Sequence, residues 1–99
     1  MMITGNMEKK TEELPVPRSE INARLRKIEG QLRGIQKMVD DERDCIDVMT
    51  QLSAVRSAMD SVVAMILRNY TTICAAKSPD SEAGKDLARA VSIWLGGRV

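Results

Sequence analysis

Two cysteines, Cys45 and Cys74, are the residues of this chain best suited to chemistry. They are 29 positions apart on what reads as one long helix, which is about eight turns at roughly 3.6 residues per turn. Both thiols are therefore predicted on one helical face, about 43 Å apart along the axis. A disulfide or a metal site needs its sulfur atoms within a few ångströms, so the two thiols of one chain cannot meet. We expect two chains to pack these helices antiparallel, which would bring Cys45 of one beside Cys74 of the other, twice.

The chain contains no histidine, which narrows the chemistry of this thiol pair. Zinc usually takes four ligands, and nickel and cobalt favour imidazole, whereas the soft ion Cu(I) suits two thiolates alone. The other possible chemistry is redox: a thiolate attacks an electrophilic sulfur, and the second thiol resolves the adduct as a disulfide or polysulfide bridge. Either cysteine taken alone could also simply fill space in a core. These three interpretations stay open at this point.

The charge distribution is more informative than the total. The 99 residues have a formal net charge of +1, but the segment from Arg18 to Lys37 holds six cations against two acids. Five acids then follow between Asp40 and Asp47 against one arginine. This asymmetry predicts one positive surface on an almost neutral protein. No hydrolytic triad, phosphate-binding glycine loop or paired-carboxylate site is recognisable, so the sequence does not indicate an enzyme.

The pattern along the chain predicts one all-α domain over residues 18–99. Residues 1–17 are polar and interrupted by Gly5, Pro15 and Pro17, and we expect them to form a mobile N-terminal tail. The first residues lack the apolar core of a secretion signal, and no stretch approaches the roughly 18 apolar residues of a membrane span. A cytoplasmic protein with free thiols and no membrane partner is therefore expected. One Trp, one Tyr and no Phe leave few large side chains for a core, which again favours an oligomer.

Three helices are predicted. Ser19 is expected to cap the first, and Asp41 or Asp44 the second, which should run from about Cys45 to Ala76. The third is expected to begin after the Ser78–Asp80 break with Ser81 as its cap, and to run through Leu95 to a stop at Gly96-Gly97. The apolar residues of the first helix are Ile21, Leu25, Ile28, Leu32, Ile35 and Val39.

The second helix has two adjacent stripes, a breadth that more than one neighbour must cover. Arg56 interrupts the wider stripe and is expected at a polar groove or at the oligomer surface, because a buried guanidinium is costly unless paired. Tyr70, one turn before Cys74, is predicted to be a core aromatic beside the thiol, since neutral phenol binds Cu(I) poorly. The wider stripe is Cys45, Met49, Leu52, Arg56, Met59, Val63, Ile66, Tyr70 and then Ile73 or Cys74, and the narrower is Val48, Val55 and Val62.

Gly30 and Gly34 lie inside the first predicted helix, where each costs about 1 kcal/mol relative to alanine. Their four-residue spacing would let another backbone or a flat partner approach the helix closely.

Two segments resemble the CsoR/RcnR family of small all-helical bacterial repressors. Residues 24–35, RLRKIEGQLRGI, are similar to its opening helix, while CIDV at 45–48 and QLSAVR at 51–56 are similar to the start of its second helix. The resemblance implies three helices per chain and an antiparallel four-helix-bundle dimer that assembles into a tetramer and binds double-stranded operator DNA. It also implies a DNA-binding face that includes Arg24, Arg26, Lys27, Arg33 and Arg56.

Members of that family differ in what they sense. Copper-sensing members carry a histidine where this chain has Tyr70, nickel and cobalt members use several histidines, and formaldehyde-responsive members lack the second cysteine. The chain most resembles the CstR-like persulfide-sensing branch. This implies that Cys45 and Cys74 sense persulfides or polysulfides without a cofactor, forming di- or polysulfide crosslinks between protomers that release DNA. The alternative is a repressor that binds Cu(I) through the same cysteines. A thiol oxidoreductase or sulfur carrier without DNA binding is a third possibility.

Overall fold

The computed structural model describes residues 14–76 and 82–96, which form three α-helices and no strand. They are α1, Arg18–Asp40; α2, Cys45–Ala75; and α3, Glu82–Trp94. The predicted all-α class and the number of helices are confirmed. Two compact units share α2: Val16–Met65 holds α1 and most of α2, and Ile66–Val99 holds the end of α2 and α3. In the part of the chain that the structure describes, no helix is both long and apolar enough to cross a membrane.

The start of α1 differs from the prediction, because Pro17 and not Ser19 is the N-cap. The Pro17 carbonyl accepts hydrogen bonds from the backbone N–H groups of Glu20 (3.0 Å) and Ile21 (3.3 Å), and no side chain caps the helix. Proline suits this position because its ring fixes φ, here −63°, and it lacks an N–H that would have no helical partner. Val16 is buried, so the packed unit extends into the predicted tail. Residues 1–13 of that tail lie outside the described residues.

A tight turn with a left-handed residue joins α1 to α2. Glu42 has φ +55°, its N–H donates to the Val39 carbonyl (3.1 Å), and the Arg43 N–H donates to the Met38 carbonyl (3.0 Å). This pair of bonds is a Schellman motif with glutamate in the position that glycine usually takes. A left-handed conformation costs a non-glycine residue roughly 1–2 kcal/mol. The backbone at Glu42, three residues before Cys45, is therefore locally strained.

The other helix ends follow the sequence closely. The Asp44 carbonyl accepts the first helical bond of α2 from the Val48 N–H (3.1 Å), so Asp44 rather than Asp41 occupies the N-cap position. Gly96 has φ +67°, and its N–H donates to the Ile93 carbonyl (3.1 Å), which confirms the predicted stop after α3. The break at Ser78–Asp80, the cap Ser81 and Gly97 lie outside the described residues.

The core of the Val16–Met65 unit is a seam with a seven-residue repeat. Ile28 and Ile35 on α1 and Val55 and Val62 on α2 are all at most 8% exposed. Spacings of seven residues are typical of helices that pack along one another. The seam is narrower than the predicted stripes: Leu25, Leu32 and Val39 on α1 keep at least 40% of their surface exposed. The wide stripe of α2 is also exposed at several positions, namely Met49, Leu52, Met59 and Tyr70.

Candidate functional site

Cys45 is the first residue of α2, and its side chain is exposed. An ion pair between the Arg43 guanidinium and the Asp47 carboxylate, with N···O 3.2 Å, joins the residues two before and two after it. Both charged side chains are about half exposed, so the pair contributes at most a few tenths of a kcal/mol. The effect of this ion pair is local: the Asp47 carboxylate, two residues after the thiol, has a cation as its partner. The thiol itself is open to a reagent or to a second chain.

Cys74 lies at the other end of the helix, one residue before its last, and is half-buried. Its Sγ donates a hydrogen bond to the backbone carbonyl of Ala83 in the first turn of α3, with S···O 3.3 Å. A groove of about 410 Å³ runs beside the thiol, and its walls are mostly apolar. Tyr70 and Ile66 of α2 form one wall, and Leu87 and Asp86 of α3 form the other. Cys74 is thus packed against α3, whereas Cys45 is not covered.

The structure confirms that both thiols belong to one uninterrupted helix and that both are free. A helix rises about 1.5 Å per residue, so its ends stay apart and the thiols do not meet within the chain. Among the described residues, no group of three or more His, Cys, Asp or Glu side chains could hold a metal ion. A dithiol site therefore requires a thiol from a second chain.

Tyr70 was predicted to be a core aromatic, but in the single chain the residue is 55% exposed. The physical reason is that, among the residues that the structure describes, most of its stripe of α2 stays exposed. The ring nevertheless lies in the wall of the groove that holds the Cys74 thiol, as expected for a residue one turn earlier on the helix.

The predicted DNA-contacting cations are all exposed: Arg24, Arg26, Lys27 and Arg33 on α1, and Arg56 on α2. The two ion pairs found within the described segments, Lys37–Asp41 (3.5 Å) and Arg43–Asp47, involve none of these five. At about 100° per residue, Arg26 and Arg33 project roughly 160° away from the buried Ile28 and Ile35. A cationic face of α1 is therefore available for an anionic partner.

Two glycines, Gly30 and Gly34, flank this face, and neither has a packing role among the described residues. A Cβ added at Gly34 would have no atom within 4 Å, and one at Gly30 would contact only the Arg33 guanidinium at 3.8 Å. Neither helical position needs a positive φ, so alanine would fit both. At these two positions the surface of α1 carries no side chain, so a partner could approach the helix backbone closely beside the cations.

The α3 wall of the Cys74 groove was not predicted from the sequence. Ala83 contributes a backbone carbonyl, which no side-chain pattern can signal. Asp86 and Leu87 could have been inferred only from knowledge of how α3 packs against the end of α2.

The family model described as "Metal-sensitive transcriptional repressor" matches residues 18–93, which is most of the chain and covers all three helices except the last residue of α3. The chain belongs to this family. It is therefore a transcriptional repressor by family and not an enzyme, as the sequence predicts.

Individual relatives agree with this assignment. The copper-sensing transcriptional repressor CsoR of Bacillus subtilis (strain 168) is 44% identical over 68 residues, which are 66% of this chain and 67% of that protein. The copper-sensing transcriptional repressor RicR of Mycobacterium tuberculosis is 46% identical over 55 residues, covering 56% of this chain. The chain spans only 57% of the length of RicR and 43% of that of a CsoR protein of the same species.

A solved structure shares the fold. The crystal structure of the copper-sensing repressor CsoR with Cu(I) from Geobacillus thermodenitrificans NG80-2 superposes with a TM-score of 0.68 at 34% identity. The match covers 83% of this chain and 95% of that one. None of these relatives confirms the persulfide-sensing branch that the sequence predicts.

Proposed function

We propose that this chain is a Cu(I)-responsive repressor: a dimeric or tetrameric protein that binds operator DNA and releases it when Cu(I) is bound by Cys45 of one subunit and Cys74 of another. The observation that carries this proposal is the position of two free thiols at opposite ends of one helix, in a member of a metal-sensitive family. The relatives described above are named as copper sensors, which favours Cu(I) over persulfide as the effector.

The exposed stripe of α2 supports a dimer. Met49, Leu52 and Met59 keep 53%, 38% and 39% of their surface exposed in the single chain. Exposed apolar side chains on one side of a helix are unfavourable in water and are normally covered by a partner. An antiparallel second α2 would cover it and would also bring each Cys45 towards a Cys74. Antiparallel packing of the two α2 helices would thus form both the dimer interface and two dithiol sites.

The donor set fits Cu(I) better than other common metal ions. Thiolate sulfur is a soft ligand and selects Cu(I), whereas zinc would need further donors and nickel would need imidazole. Each thiol must lose its proton before its sulfur can coordinate, so copper binding releases protons to solvent. With Cys74 half-buried beside an apolar groove, a bound ion would be shielded on that side from water and from competing ligands.

The exposed cations of α1 support binding to the DNA backbone. Each phosphate that they neutralise releases counterions, which gives affinity that falls steeply with salt. A hundredfold change in operator affinity on copper binding requires a coupling free energy of about 2.7 kcal/mol, within the usual range for allosteric proteins.

A second candidate effector is a low-molecular-weight persulfide, which is favoured by the absence of a third donor among the described residues. In that chemistry the Cys45 thiolate takes the terminal sulfur of the persulfide and releases a thiol. Cys74 of the partner subunit then attacks the new persulfide, forms a disulfide and releases hydrogen sulfide. The small molecule is reduced and the two cysteines are oxidised, so the electrons balance.

The deciding experiment measures binding to one duplex, selected from a random pool by the reduced protein, under three conditions: reduced, Cu(I)-loaded and persulfide-treated. We expect Cu(I) to bind at one ion per dithiol and to weaken DNA binding about a hundredfold. Release only by persulfide, with a crosslinked dimer in the mass spectrum, would replace Cu(I) by the second candidate. Release by neither treatment would refute both.

A subunit-mixing experiment tests the pairing between chains. Dimers of Cys45→Ala alone or Cys74→Ala alone have one thiol at each site and should not bind Cu(I) tightly. Heterodimers of the two variants regain one complete site, because one chain supplies Cys45 and the other Cys74. Mixed subunits that show no more binding than either parent would contradict the antiparallel arrangement.

A further inference from the structure

The Cys74 thiol already has a structural partner before any effector arrives. Its Sγ donates to the Ala83 carbonyl at 3.3 Å, and so connects the end of α2 to the first turn of α3. A cysteine S–H is a weak donor, but it is a donor only while the proton is present. The state of this one proton is therefore coupled to a contact between two helices.

We propose that this hydrogen bond is a conformational switch: the protonated thiol holds the start of α3 against α2, and any reaction at Cys74 that removes the proton releases it. The inference rests on the proposed function only in taking Cys74 as the residue on which the effector acts. It adds the element that first responds, α3, and the backbone atom through which the response passes.

Both candidate effectors remove the donor. When Cu(I) binds, the S–H bond breaks, the sulfur electron pair goes to copper and the proton goes to solvent, with no transfer of electrons between redox states. When a disulfide forms, an S–S bond replaces the S–H bond. In either case the Ala83 carbonyl loses its hydrogen-bond donor, and the contact that joins α3 to the end of α2 is lost.

The packing of α3 makes it sensitive to the loss of one contact. None of the 13 residues in Glu82–Trp94 is fully buried. Leu87 and Val91 are half-buried, and Ile93 is 74% exposed. Elements with few buried apolar side chains open locally at low free-energy cost, so a single hydrogen bond is a substantial part of what holds them. The carbonyl of Ala83 cannot move without the first turn of the helix.

A matched pair of substitutions isolates the hydrogen bond in the full-length reduced protein. Cys74→Ser keeps a hydroxyl donor of similar size, whereas Cys74→Ala removes the donor and little else. We expect hydrogen–deuterium exchange of the α3 amides to be about three- to tenfold faster in Cys74→Ala than in Cys74→Ser, which should resemble the unmodified protein. Emission from Trp94, the one tryptophan of the chain and a residue of α3, should change in the same variant.

Two results would overturn the switch. Equal exchange of α3 in the serine and alanine variants would show that the donor is irrelevant. Faster exchange of the α1 amides by the same factor would show a global loss of stability instead of a local release.

Adding Cu(I) to the unmodified protein separates this inference from the proposed function. We expect bound copper to raise α3 exchange to the level of Cys74→Ala. Copper that binds without changing α3 would refute the switch and leave the proposed function intact. If copper does not bind, the proposed function fails, while the comparison of serine with alanine still decides whether the thiol proton controls α3.

Discussion

Val55 and Val62 lie two turns apart on the same side of α2, and each is only 4% exposed. They define the side of the helix that packs within the Val16–Met65 unit, where α1 contributes Ile28 and Ile35. The neighbouring stripe, which includes Met59, is left for a different partner. One helix thus separates the contacts that fold the chain from those available for assembly.

The first prediction concerns this seam. Val62→Ala removes two buried methyl groups and should lower the free energy of unfolding by about 2 kcal/mol, through lost burial and a small cavity. Chemical denaturation at fixed protein concentration measures the change. The matched control is Val39→Ala, because Val39 is 59% exposed and should lose less than half as much. Equal losses at the two positions would mean that the seam is not the core.

The second prediction concerns assembly. Met59→Glu places a charge in the exposed apolar stripe and should convert dimers to monomers at micromolar concentration, because a buried unpaired carboxylate is costly. Sedimentation velocity measures the oligomeric state. Cu(I) binding should be lost with the dimer, since each site needs two chains.

Ser61→Glu is the control for this substitution. Ser61 is exposed on the same helix but on neither apolar stripe, so the added charge should leave both the dimer and copper binding intact. A Met59→Glu protein that remains a dimer would place the interface elsewhere.

The sequence was sufficient to place the three helices, since apolar periodicity marks their positions and Asp44 and Gly96 mark two of their ends. It did not reveal which stripe of α2 packs within the chain. Periodicity reports that a side of a helix is apolar, but not whether its partner belongs to the same chain. The prediction of a buried Tyr70 was wrong for the single chain for this reason.

For the candidate site, the sequence predicts the two thiols and the five cations, because their chemistry resides in side chains; the structure shows that the thiols are free and the cations exposed. The sequence missed the contact between Cys74 and Ala83, because a carbonyl is present at every residue and carries no signal of its own. It also assigned the first cap to Ser19, although the fixed φ of Pro17 already starts the helix through its backbone.

The third prediction concerns the turn before Cys45. Glu42→Gly should raise the free energy of unfolding by about 1 kcal/mol, because glycine adopts the observed φ of +55° without steric cost. Thermal or urea unfolding measures the gain. Glu42→Ala removes the same carboxylate and keeps the steric cost, so it should give no such gain. Equal gains from the two variants would indicate that charge and not backbone strain is responsible.

The fourth prediction concerns the cationic face. Arg33→Ala should weaken DNA binding and lower the slope of log K against log salt by about 1, as expected for the loss of one phosphate contact. Fluorescence anisotropy over a salt series measures both. Lys85→Ala removes an exposed cation of α3 and serves as the control, with an unchanged slope expected. An unchanged slope for Arg33→Ala would remove this residue from the interface.

The fifth prediction separates the stability of α1 from its proposed contact with DNA. Gly34→Ala should raise the free energy of unfolding by about 1 kcal/mol, because alanine is the better helix former and its Cβ meets nothing within 4 Å. The same methyl group should weaken DNA binding about tenfold, or roughly 1.4 kcal/mol, if the sugar-phosphate backbone lies against this face.

Unfolding and anisotropy measurements on the one variant test both halves of this prediction. A more stable protein with weaker binding is the combination that a close-approach surface requires, since a general loss of fold would lower both quantities. A gain in stability with unchanged affinity would show that nothing approaches Gly34 in the complex. The DNA-binding face would then be limited to the longer cationic side chains, which reach past the helix surface and do not need glycine beside them.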